Sequence, residues 1–521
     1  MDRTCVTPSG ATPYKTSMSF MPAMSTKTIH RYASHGALAL LTLVPSLGVA
    51  DDAVQRSPGS AEIQALEERI RKLEAERTAA KEPAKPAEGS VPRIRVADGL
   101  VLEDPDGKWS VRATARGMAD YRDFLDTDAK ADTFSLRRAR IGLGFTVNRE
   151  LTGFLESEMV FGASTQSGTP ASAGLLQGFL EYAPSPKARI RLGQFKPQFM
   201  LESTMSPFHV DFQERSLMFN LLQNFLYDRG VMLHGAPFAG TYYGVSITNG
   251  TGINLDEFQR NGPEGAASSK DVTLRLVGNA ATWMSLENTV LHFGGSYKTG
   301  TLANGDATSA GYAAANGLTE DRGLVFFNPL PFNAGSAAAS RSIDRTIGAV
   351  EGALSYRQFK LQGEYAQANY NGTLQGGQAF DRGISSGYLS ASWLVTGESF
   401  AEFYRNGVFG RIVPRSPFST AGGGTGAIQL SGRYSFFDGA DFTATNPANS
   451  GVLGGNTLAP AVTQSTTRAD AYTLALKWMP TAHVAVMLNY VRTEFDSPIV
   501  VNGQSLDRTN SLTLRGQFDF F

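Results

Sequence analysis

Only one cysteine, Cys5, occurs in the 521 residues. It lies in a segment expected to be removed, so the mature chain should carry no thiol. That excludes disulfide scaffolds, cysteine-ligated metals and thiol nucleophiles together. Histidine is scarce as well. Beyond the N-terminal segment only His209, His234, His292 and His483 remain, none in an HExxH pattern, and neither a GxSxG elbow nor a P-loop is present. An enzyme is not expected and no cofactor is implied, although a barrel-embedded hydrolase using one Ser–His pair is the reading left for a catalytic chain. No later run reaches the roughly 18 apolar residues of a transmembrane helix. The net charge of −1 gives no global field to recruit nucleic acid. A mean hydropathy of −0.18 looks soluble in bulk, but a membrane barrel hides its apolar band in alternation.

Glycine, at 55 residues, and phenylalanine with tyrosine, at 32 and 17, suit a turn-rich β-protein with interfacial aromatics. Residues 1–50 read as an N-terminal extension and a signal peptide. Lys27, His30 and Arg31 precede the apolar run from Ala37 to Val44, and Gly48-Val-Ala50 offers a cleavage site. Residues 51–92 hold a short coiled coil and a linker. Ile63, Leu66, Ile70 and Leu73 form an a/d seam among charged neighbours, either a trimer clasp or a solvated helix. Lys81–Pro92 is proline-rich and stiff.

Residues 93–521 carry about sixteen alternating segments, from 108–121 to 510–521. The turns near Asn148-Arg-Glu150, Pro184-Ser-Pro186, Pro237-Phe-Ala239, Arg357 and Pro480-Thr-Ala482 are tight. Long connections are expected at 161–174, 196–228, 250–269, 299–342, 371–383, 438–467 and 495–509. Short turns on one rim and long loops on the other point to an all-β, transmembrane antiparallel barrel of about sixteen strands in the bacterial outer membrane. The segment 397–426 breaks that rule by running long on the short-turn rim. The chain ends on an amphipathic strand closing with Phe521, like the sorting signal of outer-membrane proteins.

Strand faces follow from the two-residue period. By that count Arg112, Arg116, Arg138, Arg140, Lys187, Arg189, Arg191, Arg275, Arg345, Arg433 and Arg515 face the lumen. Arginine's planar fork pairs with phosphate or carboxylate, and several weak sites in series would pass an anion without trapping it. Asp120, Glu156, Glu158, Glu181, Glu351, Glu364 and Asp519 share the same faces, so the wall reads equally as a charge-balanced one. In Phe134–Val147 the period sets Arg138 and Arg140 inward and Arg137 outward, toward lipid phosphates or a neighbouring subunit. The long 196–228 segment, with Lys196, Glu202, Glu214 and Arg215 among apolar residues, is the candidate constriction loop. The 397–426 segment, with Arg405, Arg411 and Arg415, is a candidate for narrowing the pore from the periplasmic side.

Several stretches together resemble the phosphate-selective porin O and P family. They include Leu136-Arg-Arg-Ala-Arg-Ile141, Arg191-Leu-Gly-Gln-Phe-Lys-Pro-Gln-Phe199, Gln213-Glu-Arg-Ser216, Ser392-Trp-Leu-Val-Thr-Gly-Glu398 and Phe409–Phe418. The resemblance implies a trimer of sixteen-stranded barrels narrowed by inward loops and lined with basic side chains. Its expected partners are small anionic solutes, outer-membrane lipid and lipopolysaccharide. Phosphate or polyphosphate is the implied solute. Small carboxylates or broad selectivity remain open, as does a structural or adhesive role for the barrel and its stub.

Overall fold

The computed structural model describes residues 60–79, 92–97, 99–160, 174–250, 252, 270–303, 317–327, 340–374, 379–442 and 462–520. The signal peptide, most of the proline-rich linker and Phe521 lie outside them. The chain divides into two compact units, residues 1–84 and 85–521. In the first, Ser60–Ala79 is an α-helix (α1), and Ile70 and Leu73 of the expected seam stand exposed.

In the second unit sixteen antiparallel strands close into a barrel. In chain order they are β1 Trp109–Phe124, β2 Thr133–Val147, β3 Leu151–Glu158, β4 Gly174–Ser185, β5 Ala188–Phe195, β6 Asp228–Gly235, β7 Thr241–Thr248 and β8 Asp271–Asn279. Then follow β9 Thr289–Ala303, β10 Ser340–Tyr356, β11 Phe359–Leu374, β12 Ala379–Leu394, β13 Ala427–Asp438, β14 Arg468–Thr481, β15 Val484–Val501 and β16 Gln504–Phe520. Closure is made by β16 on β1, from Ser511 opposite Phe124 to Phe520 opposite Ala115. Where β16 ends, a hairpin of Arg93–Ala97 and Gly99–Glu103 pairs with the remaining edge of β1. That satisfies backbone groups which an open edge would leave bare.

The outer wall is apolar. Ile141, Leu143, Leu155, Leu192, Leu276, Leu430 and Leu474 all point out and are exposed. Trp109, Tyr182, Trp283, Tyr356, Phe359 and Trp393 form a girdle near the short-turn rim, and Tyr297, Tyr365, Tyr434 and Tyr472 form one further up. Aromatic belts mark the two membrane interfaces. Above the second belt the polarity inverts. Gln367 and Asn369 face out while Ala366, Ala368 and Tyr370 are buried inside. On β15, Glu494 and Asp496 face out while Phe495, Ile499 and Val501 are buried. There the strands have left the bilayer and follow the pattern of a water-soluble sheet.

Two expected loops are therefore mostly strand. β15 and β16 meet at Asn502-Gly503, with φ of 48° and 82°, the tight hairpin turn that Asn-Gly favours, in place of a loop over 495–509. Likewise β11 runs to Leu374 and β12 restarts at Ala379, inside the expected 371–383 loop.

Candidate functional site: the lumen and the segments folded into it

The 196–227 connection folds into the barrel. Phe199, Met200, Leu201, Met205, Leu217, Met218 and Leu221 are buried, which removes the apolar surface this segment would otherwise expose. The wall holds it by charge. Glu364 accepts the backbone N–H groups of Leu201 (2.8 Å) and Glu202 (2.7 Å), the free donors at the start of the short helix Leu201–Thr204. Lys360 and the amide of Gln429 each reach Asp211 at 2.7 Å. Arg433 donates to Glu202 at 3.1 Å. Arg137 and Arg515 grip Glu214 at 2.8 and 2.7 Å. Lys196 donates to the carbonyls of Ser203 and Met205, and Arg215 to those of Glu202 and Met205, so both tie the loop to itself.

Arg137 thus departs from the strict two-residue count. Opposite Met118 and Ala119 the register passes from Arg138 to Leu136, so Arg137 is an extra residue in a β-bulge. The bulge turns Arg137 and Arg138 both inward and leaves Phe134 and Leu136 facing out, exposed at 83% and 53%. Strict alternation would have put those two apolar residues in the lumen. That mismatch was the available signal.

A second outer loop enters the lumen, and the sequence reading did not single it out. Glu320 accepts from Arg433 (2.6 Å), Ser435 (2.5 Å) and Thr473 (2.5 Å). Asp321 accepts from Ser511 at 2.6 Å, and Arg322 donates to Asn220 at 3.1 Å. Phe326 and Phe327 pack on Phe437. The charged Thr319–Gly323 stretch followed by Val325-Phe-Phe327, inside a long connection, was its only mark.

From the opposite rim comes part of 395–426. Tyr404–Arg405 and Val408–Phe409 form a miniature hairpin through Asn406-Gly407. Its tip reaches β8 and β9. Arg275 donates to the Gly407 carbonyl at 2.9 Å, and His292 bonds the Tyr404 hydroxyl at 2.6 Å. At the other end Arg411 meets Asp519 of β16 at 3.1 Å. The segment is a bar lying across the inner mouth. Phe400 and Phe409 pack with Leu201, Met205 and Val210 of the constriction loop, and the Lys360 ammonium lies over both rings.

These segments pack mainly against β8–β16, with Asp120 of β1 and Arg137 of β2 at the margin, and the charges there are matched and buried. Arg275 pairs with Glu351 at 2.7 Å, Lys298 with Asp271 at 2.7 Å, and Arg345 with Asp271. Arg433 is held by Glu202 and Glu320, and Arg515 by Asp120 and Glu214. The β1–β6 side differs. Arg138, Arg189, Arg191 and Arg122 are exposed at 14, 39, 18 and 14%, against 11, 9, 9 and 0% for their partners Glu158, Glu181, Glu181 and Asp120. Arg411 shows 15% against 6% for Asp519. Arg116 and Arg140 stand behind, on Asp519 and Glu158 at 3.0 and 2.9 Å. Arg112 is half-buried on the inner half of β1, and Lys187 is exposed on the β4–β5 turn.

Two loop groups report the local field. Burial alone would raise the Glu214 carboxyl, but Arg137, Arg515 and Arg322 hold it well below the usual carboxylate range. Burial lowers the Arg322 guanidinium to about 10; Glu214 opposes this, while Arg137, Arg215 and Arg122 add to it. It stays charged at neutral pH in a neighbourhood crowded with cations. The histidines are taken up by wall contacts: His209 with Asp519, His234 with Glu181, His292 with Glu351, and His483 with the Asp519 carbonyl. Among the described residues none bonds a serine hydroxyl.

A closed antiparallel barrel with a lipid-facing apolar band and segments folded into its bore defines an outer-membrane porin. A family model described as phosphate-selective porin O and P matches residues 111–520, and the chain belongs to that family. Its members are channel proteins and not enzymes. An uncharacterized protein of Caulobacter vibrioides (strain ATCC 19089 / CIP 103742 / CB 15) is 32% identical over 135 residues, which is 26% of this chain and 22% of that relative's length. Among solved structures, an anion-selective porin from Comamonas acidovorans is similar at 12% identity and a TM-score of 0.47, covering 79% of this chain and 99% of that one. The outer membrane channel DcaP of Acinetobacter baumannii is similar at 11% identity and 0.44, covering 79% and 97%. Likenesses this distant carry no solute preference across.

Proposed function

We propose that the protein is a passive diffusion porin for small anions, with its path along the β1–β6 wall. The carrying observation is the unequal exposure within the ion pairs there. At Arg122, Arg189, Arg191 and Arg411 the guanidinium is more exposed than its carboxylate, so a solute in the bore meets the positive partner first there, while Arg138 and Glu158 are nearly level and Arg140 lies behind Glu158. Arg122, Arg189, Arg191 and Arg411 form a series of such contacts, with Arg138 and Arg112 on the same wall. Each would replace part of an anion's hydration shell, and none is a deep trap. Arg275, Arg433 and Arg515 serve as struts that hold the inward segments, and Arg345 ties one wall strand to another through Asp271. Phosphate is the solute the family description suggests, and small carboxylates suit the same forks. Assembly as a homotrimer belongs to the same reading.

Planar-bilayer recording tests it. Under a salt gradient the reversal potential should show chloride preferred over potassium, and phosphate should reduce chloride current in the same channels. A cation-preferring reversal potential would sink the anion reading. Preference for chloride with no effect of phosphate would leave the broad pore. Absence of channels from correctly folded protein would favour a structural role.

A further inference from the structure

Outside the bore, the lipid-facing wall carries a feature the transport reading does not use. A barrel wall is ordinarily convex toward lipid, yet from β10 to β16 it dips into a depression of about 800 Å³. Leu354, Leu361, Leu430, Leu474, Leu476 and Leu488 are among its lining residues. On its outward-facing positions two lining residues are small, Ala391 and Gly432. A Cβ on Gly432 would meet only the Leu474 Cδ2, at 3.6 Å, so the hollow comes from missing side-chain volume and not from a strained backbone.

We propose that this depression seats the acyl chains of an anionic phospholipid of the inner leaflet. Water does not fill an apolar hollow, so within the bilayer hydrocarbon must. The inner end of the depression is lined by Tyr356, Phe359 and Trp393, at the level of the short-turn aromatic belt. Short turns are periplasmic in such barrels, and that rim faces phospholipid phosphates. At this end Arg357 turns out of the β10–β11 connection with a φ of 50°. It is exposed, and its guanidinium lies 5.4 Å over the Tyr356 ring. Among the described residues no carboxylate pairs with it. A free cation above an aromatic rim and a greasy hollow suits one lipid with a phosphate head.

The test uses the full chain, extracted and exchanged into a mild detergent, then examined by native mass spectrometry after mixing with phosphatidylglycerol or phosphatidylethanolamine. The expected result is one retained phosphatidylglycerol per chain, with R357Q reducing retention by about fivefold, the worth of one basic residue at an anionic surface. The double variant A391L/G432L, which fills the hollow, should lose the adduct while keeping the heat-modifiable gel mobility of a folded barrel. Equal retention by the filled variant would overturn the proposal, as would equal retention of both lipids or no adduct on the unaltered chain. A filled variant that instead falls from a higher to a lower oligomeric state would assign the hollow to a second copy and also overturn it.

Discussion

Arginine does two jobs here, and the surroundings of each guanidinium decide which. Arg433 is 1% exposed between Glu202 and Glu320. Replacing it by methionine would leave two buried carboxylates without their cation, a loss of roughly 3–5 kcal/mol where one partner of a buried pair is removed. Chemical unfolding of R433M in detergent should show a drop of that size. Arg191 is 18% exposed on Glu181, which keeps His234 and Arg189 as partners, so R191M should cost less than R433M yet lower the chloride preference in bilayers. A similar stability loss in both variants would remove the distinction. Glu214 adds a pH term. Its folded pKa is depressed, so the stabilisation it brings is present above the unfolded carboxylate value of about 4.3 and is lost as pH falls below that, through the folded value. The Glu214 contribution should therefore be constant between about pH 5 and 8, with its loss from the constriction loop confined to more acid conditions. A transition near neutral pH would show that another group controls the loop. The lumen residues were legible because alternation alone sorts faces. Arg137 was not, since a bulge inserts one residue and shifts the phase on one side of it.

At the scale of elements, all sixteen strands were legible within the membrane band, where apolar-out and polar-in repeat cleanly. Their outer ends were not. Beyond the upper belt the exterior turns polar and the interior apolar, so Phe495 and Ile499 inside against Glu494 and Asp496 outside no longer read as barrel strand. The Asn502-Gly503 pair marked the hairpin, and its meaning is testable. A G503V substitution puts a β-branched residue at a φ of 82°, which should cost about 1–2 kcal/mol. The cost should appear in thermal stability with conductance unchanged, because a side chain at Gly503 meets nothing within 4 Å and displaces no neighbour. The stub is a separate matter. If helix α1 clasps three chains, deleting residues 61–78 should lower the temperature at which the trimer dissociates on gels. An equally resistant trimer would leave α1 as a solvated helix.

For the molecule as a whole, the bore is divided. One side is packed by two outer loops and the inner bar, held by matched charges. The other is left to the exposed arginines of β1–β6. That asymmetry was beyond the sequence, because it depends on which walls the long segments dock against, and each docking joins residues far apart in the chain, such as Lys360 to Asp211 or Arg515 to Glu214. It also says what the inner bar does. Shortening Phe400–Gly410 to a flexible glycine link, with Arg411 kept, would remove Phe400, Phe409 and Tyr404 from the inner mouth. The part of the mouth so uncovered is lined by pairs such as Arg275–Glu351, whose charges cancel. Single-channel conductance should rise, and the chloride-to-potassium permeability ratio should fall toward unity, because the added path lacks the basic bias proposed for the β1–β6 wall. A rise in conductance with the ratio preserved would place the selectivity at the constriction loop alone, and an unchanged conductance would show that the bar obstructs nothing.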